Sequence, residues 1–200
     1  MSILLKYLQS LPFSRLVDMG CGTGQFIVEL AGLKPQVHFI GIDVDESVLD
    51  KAHSRVCASQ LASRADFACG DCLNVPLAAS SADVLMFRGL LHHVEEVALA
   101  LAEVQRLLGE GGFLLVQDGK RMPALLFEEM NEALSRSGLP REVHPGFDVQ
   151  DLSEELSAQG LMVEEIVEGG TATFATPPYT PKVYSTGLFL LSARKAGHGA

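Results

Sequence analysis

Asp18-Met19-Gly20-Cys21-Gly22-Thr23-Gly24 is the stretch that decides how this 200-residue chain reads. Apolar Leu16-Val17 precedes it and Phe26-Ile27-Val28-Glu29-Leu30 follows it, so the acid and the alternating glycines sit at a strand-to-helix turn. Glycine lacks a Cβ and tolerates positive φ, so backbone there can pass very close to a ligand. Turns of this kind, at the carboxyl ends of parallel strands, are where open α/β sheets hold nucleotide-like ligands.

Outward from this turn, short apolar runs alternate with amphipathic ones, the pattern of βαβ units around a parallel sheet. Strands are expected at Arg15–Asp18, Val37–Asp43, Asp66–Cys69, Asp83–Phe87 and Phe113–Asp118. Helices are expected at Gln25–Leu33, Ser47–Leu61 (capped by Asp45) and Glu95–Leu108, the last ended by Gly109-Glu110-Gly111-Gly112. Met1 to Leu8 resembles a short amphipathic helix. Beyond strand five the pattern loosens. Helices are expected at Pro123–Ser137 and Val149–Gln159, the second capped by Asp148, and strands at Leu161–Val167 and Tyr184–Ala193. Only Thr171–Lys182, rich in proline, clearly separates that last pair, and so short a connection favours an antiparallel arrangement. One domain, 1–196, is expected, with 197–200 a frayed tail. Residues 119–147 form a long connection with its own helix; they read as a lid or substrate wall at the ligand edge, or as an ordinary helix packed on the sheet.

Composition narrows the function. The chain is 48% hydrophobic and 20% charged, as a globular domain is, and its formal charge is −10. No run of Lys or Arg offers a footprint for nucleic acid. No signal-peptide pattern and no apolar run of spanning length occurs, so a cytoplasmic protein without a membrane partner is expected. Cys69-Gly70-Asp71-Cys72 matches C-x-x-C, but a second compact pair with zinc-ligand spacing is missing, and the pair follows a strand rather than opening a helix. Reduced thiols and no metal centre are the expectation.

Asp18 ends strand one, Asp43 ends strand two and Asp71 follows strand three, so a parallel sheet brings these acids to one edge beside the glycine turn. A carboxylate at Asp43 can accept both vicinal hydroxyls of a ribose. A dinucleotide fold would share this much. Its G-x-G-x-x-G register fails here, however: from Gly20 the sixth position is Gln25, and from Gly22 it is Ile27.

Nearly the whole chain resembles the class I S-adenosylmethionine-dependent methyltransferases. Leu16 to Gly24 is similar to that family's first motif, Gly41-Ile42-Asp43 to its second, and Gly70-Asp71-Cys72 to its third. Ala82 to Phe87, running into Leu90-Leu91-His92-His93-Val94, is similar to the fourth, and Leu107 to Leu115 resembles the entry to strand five. The resemblance implies an α/β, Rossmann-like fold: a seven-stranded, mostly parallel sheet in the order 3-2-1-4-5-7-6, its last strand antiparallel, with helices on both faces. It implies S-adenosylmethionine as methyl donor and S-adenosylhomocysteine as product. Gly20, Cys21, Gly22 and Gly24 would carry the loop against the methionine end, oriented by Asp18. Asp43 would bind the ribose, and Asp71 with the Cys72 amide would bind the adenine. Arg88 would lie beside the sulfonium; a surface ion pair is its other reading. His92 and His93 are the candidate catalytic bases for the acceptor, or they pack and cap the following helix. The acceptor is unidentified; the acidic charge favours small molecules. A non-catalytic donor-binding module is the alternative.

Overall fold

The computed structural model describes residues 3–175 and 183–197, with side chains described outside 170–186. Residues 198–200 of the expected tail, and residues 176–182 of the proline-rich connection, lie outside the described residues.

The chain runs α1 (Ile3–Ser10), β1 (Arg15–Met19), α2 (Gln25–Leu33), β2 (His38–Asp43), α3 (Glu46–Ala58), β3 (Ala65–Cys69), β4 (Ala82–Arg88), a 3-10 turn (Leu91–His93), α4 (Val97–Leu107), β5 (Leu108–Gly119), α5 (Ala124–Arg136), α6 (Val149–Ala158), β6 (Leu161–Ala175) and β7 (Val183–Lys195). The strands form a single seven-stranded sheet in the order β3-β2-β1-β4-β5-β7-β6. β1 through β5 pair in parallel, and β7 is antiparallel to both β5 and β6. The expected order and the reversed last strand are therefore what the chain adopts.

Strand periodicity divides the core. Successive side chains point to opposite faces of a strand. In β4, Val84 and Met86 pack with Leu4, Leu8, Ile27, Leu30 and Val56 on the face covered by α1, α2 and α3. Leu85 and Phe87 pack with Leu101, Val104 and Leu156 on the face covered by α4 and α6. All four β4 side chains are fully buried, as expected of a central parallel strand covered on both faces.

Local chemistry sets the helix ends. Asp45 accepts from the Ser47 amide at 2.8 Å and starts α3. Asp148 accepts from the Gln150 amide at 2.8 Å and starts α6. At the amino-terminal edge Asp83 accepts from the Ser14 and Arg15 amides, each at 2.9 Å, and pairs with the Arg15 guanidinium at 2.9 Å. That clamp ties β1 to β4.

Three expectations shift. α3 stops at Ala58, three residues before Leu61, because Gln60 takes a left-handed φ of 60° and the Leu61 amide turns back to the Val56 carbonyl. β5 starts at Leu108 and absorbs the glycine run, because Ala82 pairs with Leu108 but Val84 with Phe113, so the extra residues bulge out of the ladder. The terminal hairpin is longer than expected: Thr171–Ala175 continue β6 instead of forming the connection.

Candidate functional site

Carboxyl ends of β1, β2, β3 and β4 meet at one edge because their registers align. Asp18 lies beside Gly41 of β2 and Met86 of β4, and Asp43 lies beside Cys69 of β3. The turn after β1 is built on left-handed glycines, with φ of 69° at Gly20, 53° at Gly22 and 68° at Gly24. Packing explains Gly24, where a Cβ would stand 3.1 Å from that of Ala52. It does not explain Gly22, where an added Cβ would meet no atom within 4 Å. There the left-handed φ of 53° is what calls for glycine, and the space beside it is open. Arg55 of α3 fixes the turn by donating to the carbonyl and hydroxyl of Thr23, and the Gly20 and Cys21 amides donate to the Ile42 carbonyl at 2.8 and 3.0 Å.

Beneath this turn the Asp18 carboxyl is 1% exposed, and neither oxygen has a hydrogen-bond partner among the described residues. Burial pushes its pKa up to about 7, with the positive Arg88 countering and the negative Asp43 adding to the rise. A buried acid without a donor is costly in an apolar interior. Here it is an unused acceptor under a turn that can accommodate a guest.

Asp43 is already committed to shaping the loop. Its Oδ2 accepts from the Gly22 amide at 2.8 Å and its Oδ1 from the Asp45 amide at 3.1 Å. A carboxylate has about four lone-pair sites, so two hydroxyls could still be accepted. Asp43, Asp71 and Cys72 share a slot of about 70 Å³ with Met19, Gly20, Ile42, Val44, Gly70 and Leu90. Asp71 also accepts from the Leu73 amide at 2.9 Å, so it serves its own turn as well as lining the slot. Burial raises the Cys72 thiol to about 11 and pushes Cys21 higher still, so both are protonated thiols at neutral pH. Of the apolar walls of the slot, Leu90 belongs to the stretch similar to the fourth motif, whereas Val44 carried no sequence signal beyond its place just after β2.

A second gap, about 280 Å³, opens at the ends of β4 and β5, lined by Arg88, Gly89, His92, Gln117, Asp118, Gly119 and Leu188. Arg88 stands between the two halves of this edge, its guanidinium 4.8 Å from the centre of the Phe26 ring and close enough to Asp18 to bias its charge. His92 Nδ1 bonds Asp118 Oδ1 at 2.7 Å. Asp118 is 2% exposed and also accepts from the Gly119 amide at 2.7 Å. Burial opposes charging of His92, but the bond and charge of Asp118, joined by Glu142, outweigh it and raise its pKa. His93 Nδ1 lies 2.8 Å from Glu142 Oε2. Asp118 and Glu142 were missed by sequence reading. Asp118 ends a parallel strand, as Asp18 and Asp43 do, and that rule would have found it. Glu142 had no local signal.

Segment 119–147 folds back beside His92, where Met122, Phe127, Met130, Glu142 and His144 line a small neighbouring cavity. The Arg121 amide donates to the Phe147 carbonyl, the Phe147 amide to the Gly119 carbonyl, and the His144 amide to the His92 carbonyl. Its α5 has a small apolar cluster of its own, centred on Met122 and Met130. A larger groove, about 740 Å³, lies elsewhere, between the start of α4 and α6 and lined by Glu95, Glu96, Asp151 and Glu155. It touches neither the glycine turn nor its acids.

The model of a methyltransferase-domain family matches residues 13–163. The chain belongs to the class I methyltransferase family. Among curated relatives, it is 28% identical over 137 residues to the ubiquinone/menaquinone biosynthesis C-methyltransferase UbiE of Cereibacter sphaeroides, covering 68% of this chain and 55% of that one. It is 25% identical over 158 residues to the malonyl-[acyl-carrier protein] O-methyltransferase of Legionella pneumophila, covering 79% of this chain and 53% of the relative. The domain thus spans about half the length of the curated relatives it matches. The YcgJ protein of Bacillus subtilis has the same fold, with a TM-score of 0.76 over 98% of this chain and 97% of its own, at 20% identity. The donor of this family is S-adenosylmethionine. No described helix of the methyltransferase domain is long and apolar enough to cross a membrane.

Proposed function

We propose that this domain transfers the methyl group of S-adenosylmethionine to a small-molecule acceptor. The buried, unpartnered carboxylate of Asp18 beneath the glycine turn carries the reading. A phosphate-bearing ligand would be repelled by that acid, whereas a ligand with an ammonium and a sulfonium is attracted to it. Gly20, Cys21, Gly22 and Gly24 form the backbone surface for its methionine end. Asp43 accepts its ribose hydroxyls, Asp71 and the Cys72 amide meet its adenine, and Arg88 borders its reactive end.

Bound S-adenosylmethionine supplies a methyl group on a leaving group that is already good. What remains for the protein is alignment and exclusion of water. The gap at Arg88, His92 and Gln117 suits a small acceptor by its size, and segment 119–147 packs on the far side of His92. His92 and His93 belong to the acceptor half of the site. The relatives' names include both a carbon and an oxygen methyltransferase, so likeness favours a small or carrier-borne acceptor without choosing its atom.

Calorimetric titration with S-adenosylhomocysteine should show 1:1 binding to the wild type that is weakened in Asp43→Ala. Turnover of S-adenosylmethionine is then measured over a panel of phenols, carboxylic acids and quinols. Donor binding without turnover on any acceptor would sink the catalytic half of the proposal; absence of donor binding would sink all of it.

A further inference from the structure

His92, His93 and Glu142 come together from two separate stretches of chain. One nitrogen from each imidazole and one carboxylate oxygen lie within 4.8 Å of one another. His92 Nε2 is 3.9 Å from Glu142 Oε2, and His93 Nδ1 is 2.8 Å from the same oxygen. These groups are held in place from behind. Asp118 grips His92 Nδ1 and turns Nε2 toward Glu142, the arrangement in which a carboxylate orients a metal-binding histidine. Asn131, 1% exposed, accepts from the Glu142 amide at 2.7 Å and donates to its carbonyl at 3.3 Å. The His144 amide ties the same segment to the His92 carbonyl at 3.1 Å.

We propose that His92 Nε2, His93 Nδ1 and the Glu142 carboxylate form a binding site for a divalent transition-metal cation of the zinc class, with a fourth position left to water. Two imidazoles and a carboxylate are the donor set such a cation prefers, and three protein ligands with one open position is a coordination that supports chemistry. Charge agrees: with both imidazoles neutral, Glu142 and Asp118 balance a 2+ ion. The site joins the turn after β4 to segment 119–147 and shares His92 with the acceptor gap. A cation there would pin the segment and polarise an oxygen brought near it. His144 lines the adjoining small cavity with a buried Nε2 that has no hydrogen-bond partner among the described residues.

The inference stands apart from the methyl-donor reading, and its test uses neither donor nor acceptor. Chelator-stripped protein is titrated with Zn²⁺ by calorimetry, and with Co²⁺ by visible absorption, which reports a tetrahedral ion. One site per chain is expected, with the intense absorption of tetrahedral Co²⁺. His93→Ala, at a half-exposed position, and Glu142→Gln should each weaken binding at least about tenfold, and Asp118→Asn by about 10- to 100-fold. Circular dichroism checks that each variant is folded. Absence of binding at micromolar protein overturns the proposal. So does binding that survives in both His93→Ala and Glu142→Gln, which would mark an adventitious surface site such as His38 with Asp66.

Discussion

Asp18 sets fold stability against function at a single side chain. Its carboxyl titrates near 7 in the folded protein instead of the ordinary 3.8, because burial disfavours the charge. The folded state therefore holds this proton more tightly than the unfolded chain does. The resulting stabilisation is complete below pH 3.8 and is lost as pH rises through about 7. Donor binding should run the other way, since an ammonium needs the ionised acid: affinity for S-adenosylhomocysteine is expected to strengthen from pH 6 to pH 8. In Asp18→Asn that rise should vanish, and the free protein at pH 8 should melt no lower than wild type. A pH-dependent affinity unchanged by the substitution would remove Asp18 from the site. Asp43→Ala leaves the Gly22 amide without its acceptor and would take away the proposed ribose contact; one lost hydrogen bond to a charged group, at about 1.5–3 kcal/mol, predicts a donor Kd weaker by about 10- to 100-fold. Both acids were legible in the sequence because each ends an apolar strand next to a glycine turn. Asp118 was overlooked although it obeys the same rule, and Glu142 lay beyond any local rule.

Helix caps and buried faces govern stability without touching the site. Asp148 accepts from the first-turn amides of α6, and Asp148→Ala should cost about 0.5–2 kcal/mol in chemical denaturation while leaving donor affinity unchanged. Leu156, on the inner face of the same helix and fully buried, should cost about 2–5 kcal/mol when changed to Ala, because a cavity is left behind. If Leu156→Ala cost less than the cap variant, the packing assigned to α6 would be wrong. Element identity was readable from periodicity and punctuation: α2 and the Asp45 and Asp148 caps lie where the residues indicate. Boundaries were read less well wherever a distant partner decides them. β5 begins early because Ala82 pairs with Leu108, and β6 runs on to Ala175 because β7 offers a partner that far. No window of sequence contains those pairings.

At the scale of the molecule, the edge that gathers the acids is also the point where a ligand would link four strands and the glycine turn. Binding to the folded state alone should stabilise all of it: S-adenosylhomocysteine at 100 times its Kd adds about 2.7 kcal/mol. For a domain of this size that is a rise in Tm of roughly 5–10 °C, measurable by differential scanning fluorimetry. The same addition to Asp43→Ala, at the same concentration, should give a much smaller shift. The sequence by itself determined the sheet class and the edge that gathers the acids, because apolar period, glycine turns and strand-terminal acids are local signals; the strand order was implied only by the resemblance to the methyltransferase family. Tertiary structure alone decided that Asp18 is buried without a hydrogen-bond partner among the described residues, that Gly22 faces open space, and that Glu142 reaches His93. Burial and long-range contact are properties of how elements pack, and a chain read in order does not contain them.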